Sequence, residues 1–231
     1  MNTRILMIVT SSNRMGNTDK PTGLWAEELA LPYYALVDAG ASVVIASTTG
    51  GKAPIDPGSV KAKGANDPAV ERMLADPALQ AMIENTQPIL DVKIEGFDAI
   101  FFPGGHGTMW DLPTHSGVKM AVESAYGSGK FIASVCHGAA GLVSAVGNDG
   151  QPMVRGKRVN SFTDAEEREV GLAGVVPFML ESRLRELGGV FEGADNWQAF
   201  AIRDGQLITG QNPQSSAKVA EMLIEALGIK A

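Results

Sequence analysis

The chain predicts an α/β fold with a central, mostly parallel sheet flanked by helices on both faces. Three observations carry this. Four short apolar runs, "RILMIVT" (4–10), "SVVIAS" (42–47), "DAIFFPG" (98–104) and "FIASV" (131–135), lack polar alternation, as strands buried on both faces do. Helical patterns separate them, which is the order that parallel strands with crossover helices require. With 231 residues and 45% hydrophobic content the chain can bury one large core, so residues 1–231 read as one domain.

The elements follow in order. After the first strand, "LWAEELALPYYALVDAG" places Leu24, Leu29, Leu31, Tyr34, Leu36 and Val37 at three- and four-residue spacings and stops at Gly40, which predicts a helix. Beyond the second strand, the Pro- and Gly-rich residues 50–87 form an insertion with a polar helix around Ala69–Glu84, expected as a lid or rim over the sheet's edge. "SGVKMAVESAYGSG" gives the helix before the fourth strand, with a serine cap and terminal glycines. Near the C-terminus, "WQAFAIRDGQLITG" holds two apolar runs joined by Asp204-Gly205, a hairpin signal, and "SSAKVAEMLIEALG" (215–228) closes the chain as an amphipathic helix.

Charge narrows the partners. The net charge is −7, and the 19 Lys and Arg are scattered without a basic run, so no footprint for nucleic acid or an anionic membrane surface is visible. No apolar run reaches the length of a membrane span, and residues 1–10 lack a signal-peptide pattern. A single cysteine excludes an intramolecular disulfide framework, and the cytoplasm is the expected location.

That cysteine, Cys136, ends the fourth strand beside His137, and Gly138, Ala139 and Ala140 follow it. In open α/β sheets reactive groups sit at the carboxyl ends of strands, and a residue in a tight strand-to-helix turn is presented to the cleft. A helix N-terminus there favours a thiolate and predicts a lowered thiol pKa. The alternative is a buried structural cysteine, the commoner fate of this residue type. A second strand end, "FFPGGHGTMWDLP" (101–113), brings Gly104 and Gly105 to the same edge, where bare backbone N–H groups suit a developing oxyanion; an ordinary glycine turn is the alternative. His106, His115 and His137 show no ligand-type spacing with carboxylates, so no metal is expected. Trp110 and Trp197 are candidates for lining a pocket or for packing.

Taken together, "FFPGGHGTMWDLP", "SVCHGAAGL", "PTGLWAEELALPYYALVDAGASVVIAS", "NSFTDAEE" and "LITGQNPQSS" resemble the PfpI/ThiJ superfamily, with its class I glutamine amidotransferase-like fold, and its heat-shock chaperone and glyoxalase III branch in particular. The resemblance spans nearly the whole chain. It implies Cys136 as nucleophile, His137 as its following histidine, Glu28 as the acid beside the thiol with Glu27 as rival, and Glu167 as third acid with Glu166 and Asp164 as rivals. Gly104, Gly105 and His106 then bind substrate, with Gly105 and the N–H of His137 as oxyanion donors. It further implies a homodimer that needs no cofactor and converts methylglyoxal and related α-oxoaldehydes to 2-hydroxy acids without glutathione. Peptidase or amidase, protein deglycase, and a holding chaperone or redox sensor are the other activities the resemblance admits.

Overall fold

The computed structural model describes residues 3–229. Its main sheet is built on β1 (Arg4–Val9), with β2 (Ser42–Ser47) and β3 (Gln87–Pro88) on one side and β4 (Ala99–Phe102), β5 (Phe131–Val135), β9 (Leu207–Gly210) and β8 (Ala201–Asp204) on the other. Every pairing is parallel except the β8–β9 hairpin, which turns through Gly205-Gln206, one residue beyond the expected Asp204-Gly205, because Asp204 still pairs with Leu207. Alternate residues of the central strands feed two cores: Leu6, Ile8, Ile100 and Phe102 on one face, and Ile5, Met7, Val9, Phe101 and Val135 on the other. This period of two with both faces dry accounts for the unbroken apolar runs.

α1 (Ala26–Asp38) packs on the second face together with α8 (Ser216–Leu227), while α5 (Ser116–Gly127) covers the first. α5 begins at Ser116 with His115 at its cap position, and no side chain caps it, contrary to the expected serine cap. α4 (Thr108–Asp111) is a single turn beyond β4. Its Asp111 carboxylate accepts hydrogen bonds from the Thr10 and Thr48 hydroxyls and the Ser11 N–H, tying together the ends of β1 and β2. A two-stranded ribbon, β6 (Arg158–Val159) with β7 (Val190–Phe191), lies apart from the main sheet, and α6 (Asp164–Glu169) and α7 (Leu180–Glu186) lie between its strands in sequence.

The insertion differs from expectation. Its single helix is two, α2 (Pro68–Ala75) and α3 (Pro77–Glu84), because Pro77 cannot continue a helix and Asp76 instead caps α3 by accepting from the N–H groups of Ala78 and Leu79. Val70, Met73, Leu79 and Ile83 bury against the core shared with α1, so this part is a layer of the domain and not a lid. Only its first part reaches a rim: Ile55 pairs with Leu24, and Asp56 follows at the cleft.

Strand order reverses direction at β1, with β2 to one side and β4 to the other, and the cleft of such a sheet opens at the carboxyl ends there. The turns after β4 and β5 both emerge at that edge.

Candidate active site

Cys136 leaves β5 with φ +56°, in the left-handed region that only glycine enters freely. Such strain costs on the order of 1–3 kcal/mol and persists only where neighbours fix it. Gly138 lies so close to the carbonyl of Phe102 that a side chain there has no room, which packs the turn directly onto β4. The buried Thr108 hydroxyl reaches the carbonyls of Gly105 (2.8 Å) and His137 (2.9 Å), linking the two strand-end turns. Residues 136–142 then continue as a 3₁₀ helix, tighter and shorter than the α-helix expected.

Sγ of Cys136 lies 3.2 Å from Nδ1 of His137. Nε2 of the same ring lies 2.6 Å from Oε2 of Glu167, and Nε2 of His106 lies 2.8 Å from Oε1. Glu167 therefore accepts from both histidines. Burial would raise its pKa, but the hydrogen bonds from His106 and His137 outweigh this and hold it at about 2. Burial, and then His106 alongside, push His137 down to about 4 against the attraction of Glu167. At neutral pH His137 is thus a neutral imidazole with its proton on Nε2, facing the carboxylate, and its Nδ1 lone pair free toward the thiol.

Glu28, in the first turn of α1, is wholly buried beside the thiol. Burial raises its pKa from 4.5 to about 8; the Cys136 thiol and the Gly104 backbone draw it down only in part, and neither carboxyl oxygen makes a hydrogen bond of normal geometry. A Cβ at Gly104 would collide with Oε2 of Glu28 and lie 2.9 Å from the His137 nitrogen, so only glycine leaves this acid room. Burial, reinforced by the negative charge of Glu28, raises the Cys136 thiol well above its usual range, although the N–H of His137 acts the other way. This direction is opposite to the lowered thiol pKa expected from the turn, because the thiol is buried beside an acid.

The residues left open by sequence are separated by geometry. Glu28 faces the thiol, whereas Glu27 does not line the cleft. Of the three acids near 164–167, Glu167 meets His137, Asp164 accepts from the Ser182 hydroxyl and N–H, and Glu166 accepts from Thr163, Trp197, Gln211 and Asn212. Two of the histidines, without ligand-type spacing to a carboxylate in the sequence, meet Glu167 in space. The donor atoms of His106, His137 and Glu167 all lie within 4.8 Å of one another, close enough to share an ion, but each imidazole Nε2 already meets a carboxylate oxygen at hydrogen-bond distance.

The cavity above Cys136 has a volume of about 240 Å³. Gly105 and His106 line it, while Gly104 backs Glu28. Trp197 lines it and Trp110 does not; Trp110 packs into the core beside α5 and over Gly16. Sequence reasoning missed Trp25, Asp56, Phe162 and Leu172, which come from loops without periodicity.

Over nearly its whole length the chain has counterparts among known proteins. Glyoxalase 3 of Candida albicans is 27% identical over 96% of this chain and 98% of that protein. The crystal structure of glyoxalase III from the same organism superposes with a TM-score of 0.88 at 26% identity, covering 97% of each chain. The Rapid Encystment Protein 24 KDa of Francisella tularensis superposes with a TM-score of 0.93 at 40% identity, covering 97% of this chain and 99% of that one. Residues 22–226 match the model of the DJ-1/PfpI family, a span that takes in α1 with Glu28, the Cys136 turn, Glu167 and most of α8, and the chain belongs to that family.

Proposed function

We propose that the chain is a glutathione-independent glyoxalase that converts methylglyoxal and related α-oxoaldehydes to 2-hydroxy acids, with Cys136 as nucleophile. The observation that carries this reading is the placement of one thiol between two proton carriers in opposite states, the neutral imidazole of His137 and the protonated carboxyl of Glu28. The glyoxalase relatives at similar length support it.

In the first step Sγ bonds to the aldehyde carbon C1, the thiol proton passes to Nδ1 of His137, and Glu28 protonates the C1 oxygen, giving a hemithioacetal. The imidazolium formed is stabilised by Glu167. The Glu28 carboxylate then removes the C1 hydrogen, and the electron pair forms C1=C2 as His137 returns its proton to the C2 oxygen. Glu28 next delivers its proton to C2 while the C1 hydroxyl proton goes to His137, leaving a thioester of the 2-hydroxy acid. Water, deprotonated by the Glu28 carboxylate, attacks the thioester carbon, and His137 returns its proton to the leaving Sγ, which frees the 2-hydroxy acid and restores the neutral imidazole, the thiol and the protonated Glu28. One water is consumed, and no metal or organic cofactor takes part. No lysine or arginine is among the lining residues, so no cationic side chain there retains the anionic product.

With this reading go a homodimer, the cytoplasm as location, and no nucleic-acid or membrane partner. The net charge of −7 supports the absence of a polyanion partner, and among the described residues no helix is long and apolar enough to cross a membrane. The test is lactate formation from methylglyoxal by purified protein without added thiol. Cys136→Ala should abolish it and EDTA should leave it unchanged. Turnover that survives Cys136→Ala, or Cys136-dependent cleavage of a peptide amide with no lactate formed, would replace the glyoxalase reading.

A further inference from the structure

The cavity is larger and more apolar than methylglyoxal requires. One water needs about 10–15 Å³ of such space, so a cavity of about 240 Å³ holds well more than the non-hydrogen atoms of methylglyoxal. The apolar lining residues are Met15, Trp25, Phe162, Leu172 and Trp197, with the exposed Val170 among them. The rings form a row: the Phe162 centroid lies 4.5 Å from His137 and 5.7 Å from Trp197, leading outward from the reacting thiol.

Trp197 has φ +63°, the only non-glycine residue besides Cys136 with positive φ among the described residues. A bulky side chain held there is a costly outlier that its surroundings must enforce. Two acids of α6 do so. Glu166 accepts from the Trp197 N–H at 2.9 Å, and Glu169 accepts from the indole N–H at 2.8 Å. The absence of cationic lining residues disfavours 2-oxo acids and phosphorylated aldehydes.

We infer that the site is shaped for neutral α-oxoaldehydes whose substituent is apolar and about the size of an aromatic ring, and that Trp197, pinned by Glu166 and Glu169, determines this preference. The inference rests on the glyoxalase reading. The aldehyde carbon meets Sγ while the ring lies along Phe162 and Trp197, where it displaces water from apolar walls.

The experiment compares kcat/KM for phenylglyoxal (product mandelate) and methylglyoxal (product lactate). The wild type should favour phenylglyoxal at least tenfold, mainly through a lower KM. Trp197→Asn removes the ring with a residue that tolerates positive φ, and should bring the ratio to within threefold; Trp197→Gly should do the same if the asparagine variant does not fold. Equal or better use of methylglyoxal by the wild type overturns the inference alone. A tenfold preference unaltered in both variants overturns the role of Trp197. Product from neither aldehyde overturns the glyoxalase reading and this inference with it.

Discussion

Replacing Glu28 by glutamine keeps the shape of the side chain and removes its titration. The folded pKa of about 8 lies above the ordinary value of 4.5, so between these limits the folded protein holds a proton that the unfolded chain has released. Glu28 therefore subtracts from stability progressively as pH rises from 4.5 to 8. Each unit corresponds to 1.36 kcal/mol, which makes the cost about 3 kcal/mol at pH 7 and about 5 kcal/mol above pH 8. Any fixed cost of burying the glutamine amide is the same at every pH. His137 and Glu167 titrate in both proteins and drop out of the difference.

Urea denaturation of wild type and Glu28→Gln at pH 4.5, 6, 7 and 8 reads this directly. The stability of the variant relative to wild type should rise by about 3 kcal/mol between pH 4.5 and pH 7. In thermal melts that is a relative gain of roughly 6–12 °C for a chain of this size. Activity should move the other way, with kcat lowered by about two to four powers of ten for the loss of a general acid and base. Wild-type kcat should also decline as pH passes 8 and Glu28 loses its proton. A stability difference that stays constant with pH would mean that Glu28 is already ionised in the folded protein, and the proton transfers assigned to it would fail.

Three further outcomes are expected. Alkylation of Cys136 by iodoacetamide should show a midpoint above the ~8.5 of a free cysteine, and Glu28→Gln should lower it by removing a negative charge; a midpoint below that value would restore the thiolate expected from the turn alone. On the acid side, protonation of His137 is favoured in the unfolded chain, so its contribution to stability falls as pH drops from 6.5 toward 4; in the wild type this offsets the opposite slope of Glu28, and the decline should show in Glu28→Gln. Wild-type stability should then fall from 4.5 toward 2 as Glu167 is protonated; Glu167→Gln should flatten that decline and lower kcat by about ten- to a hundredfold, read by melts and lactate assays. Gly104→Ala should abolish lactate formation while the protein still folds, checked by circular dichroism, because its methyl group meets the Glu28 carboxyl and the His137 nitrogen.

The sheet was legible because β1, β4 and β5 are buried on both faces, a condition that leaves only Ser134 as a polar residue inside them, with Arg4 at the exposed start of β1. The nucleophile was legible for a related reason: a cysteine followed by small residues at a strand end admits few conformations, and Cys136 takes the strained one. The acids were not readable locally. Glu27 and Glu28 occupy the same helical turn, and only the rotation of α1 against the sheet decides which is buried, a tertiary fact supplied in advance by resemblance alone. The thiol pKa was misjudged because turn geometry speaks to the dipole, whereas desolvation depends on how completely distant segments close over the site. Phe162 and Leu172 close it from loops with no period to read.

α6 shows why the third acid stayed ambiguous in sequence and why it is not ambiguous in space. Successive residues of a helix point about 100° apart, so Glu166 and Glu167 cannot serve the same partner. Oε2 of Glu166 closes a capping box with Thr163, and Oε1 turns toward Gln211, Asn212 and the Trp197 N–H. Glu167, one step on, faces the histidines. Glu169 lies on the Glu166 side of the helix, offset by most of a turn, and takes the indole of Trp197. One short helix thus orients the base on one side and the apolar wall on the other. A one-residue shift of this segment would exchange these partners, giving His137 the face that now holds Trp197. The capping box at Thr163 fixes that register, so the N-terminal cap of α6 is as much a condition of the site's geometry as the acids it precedes.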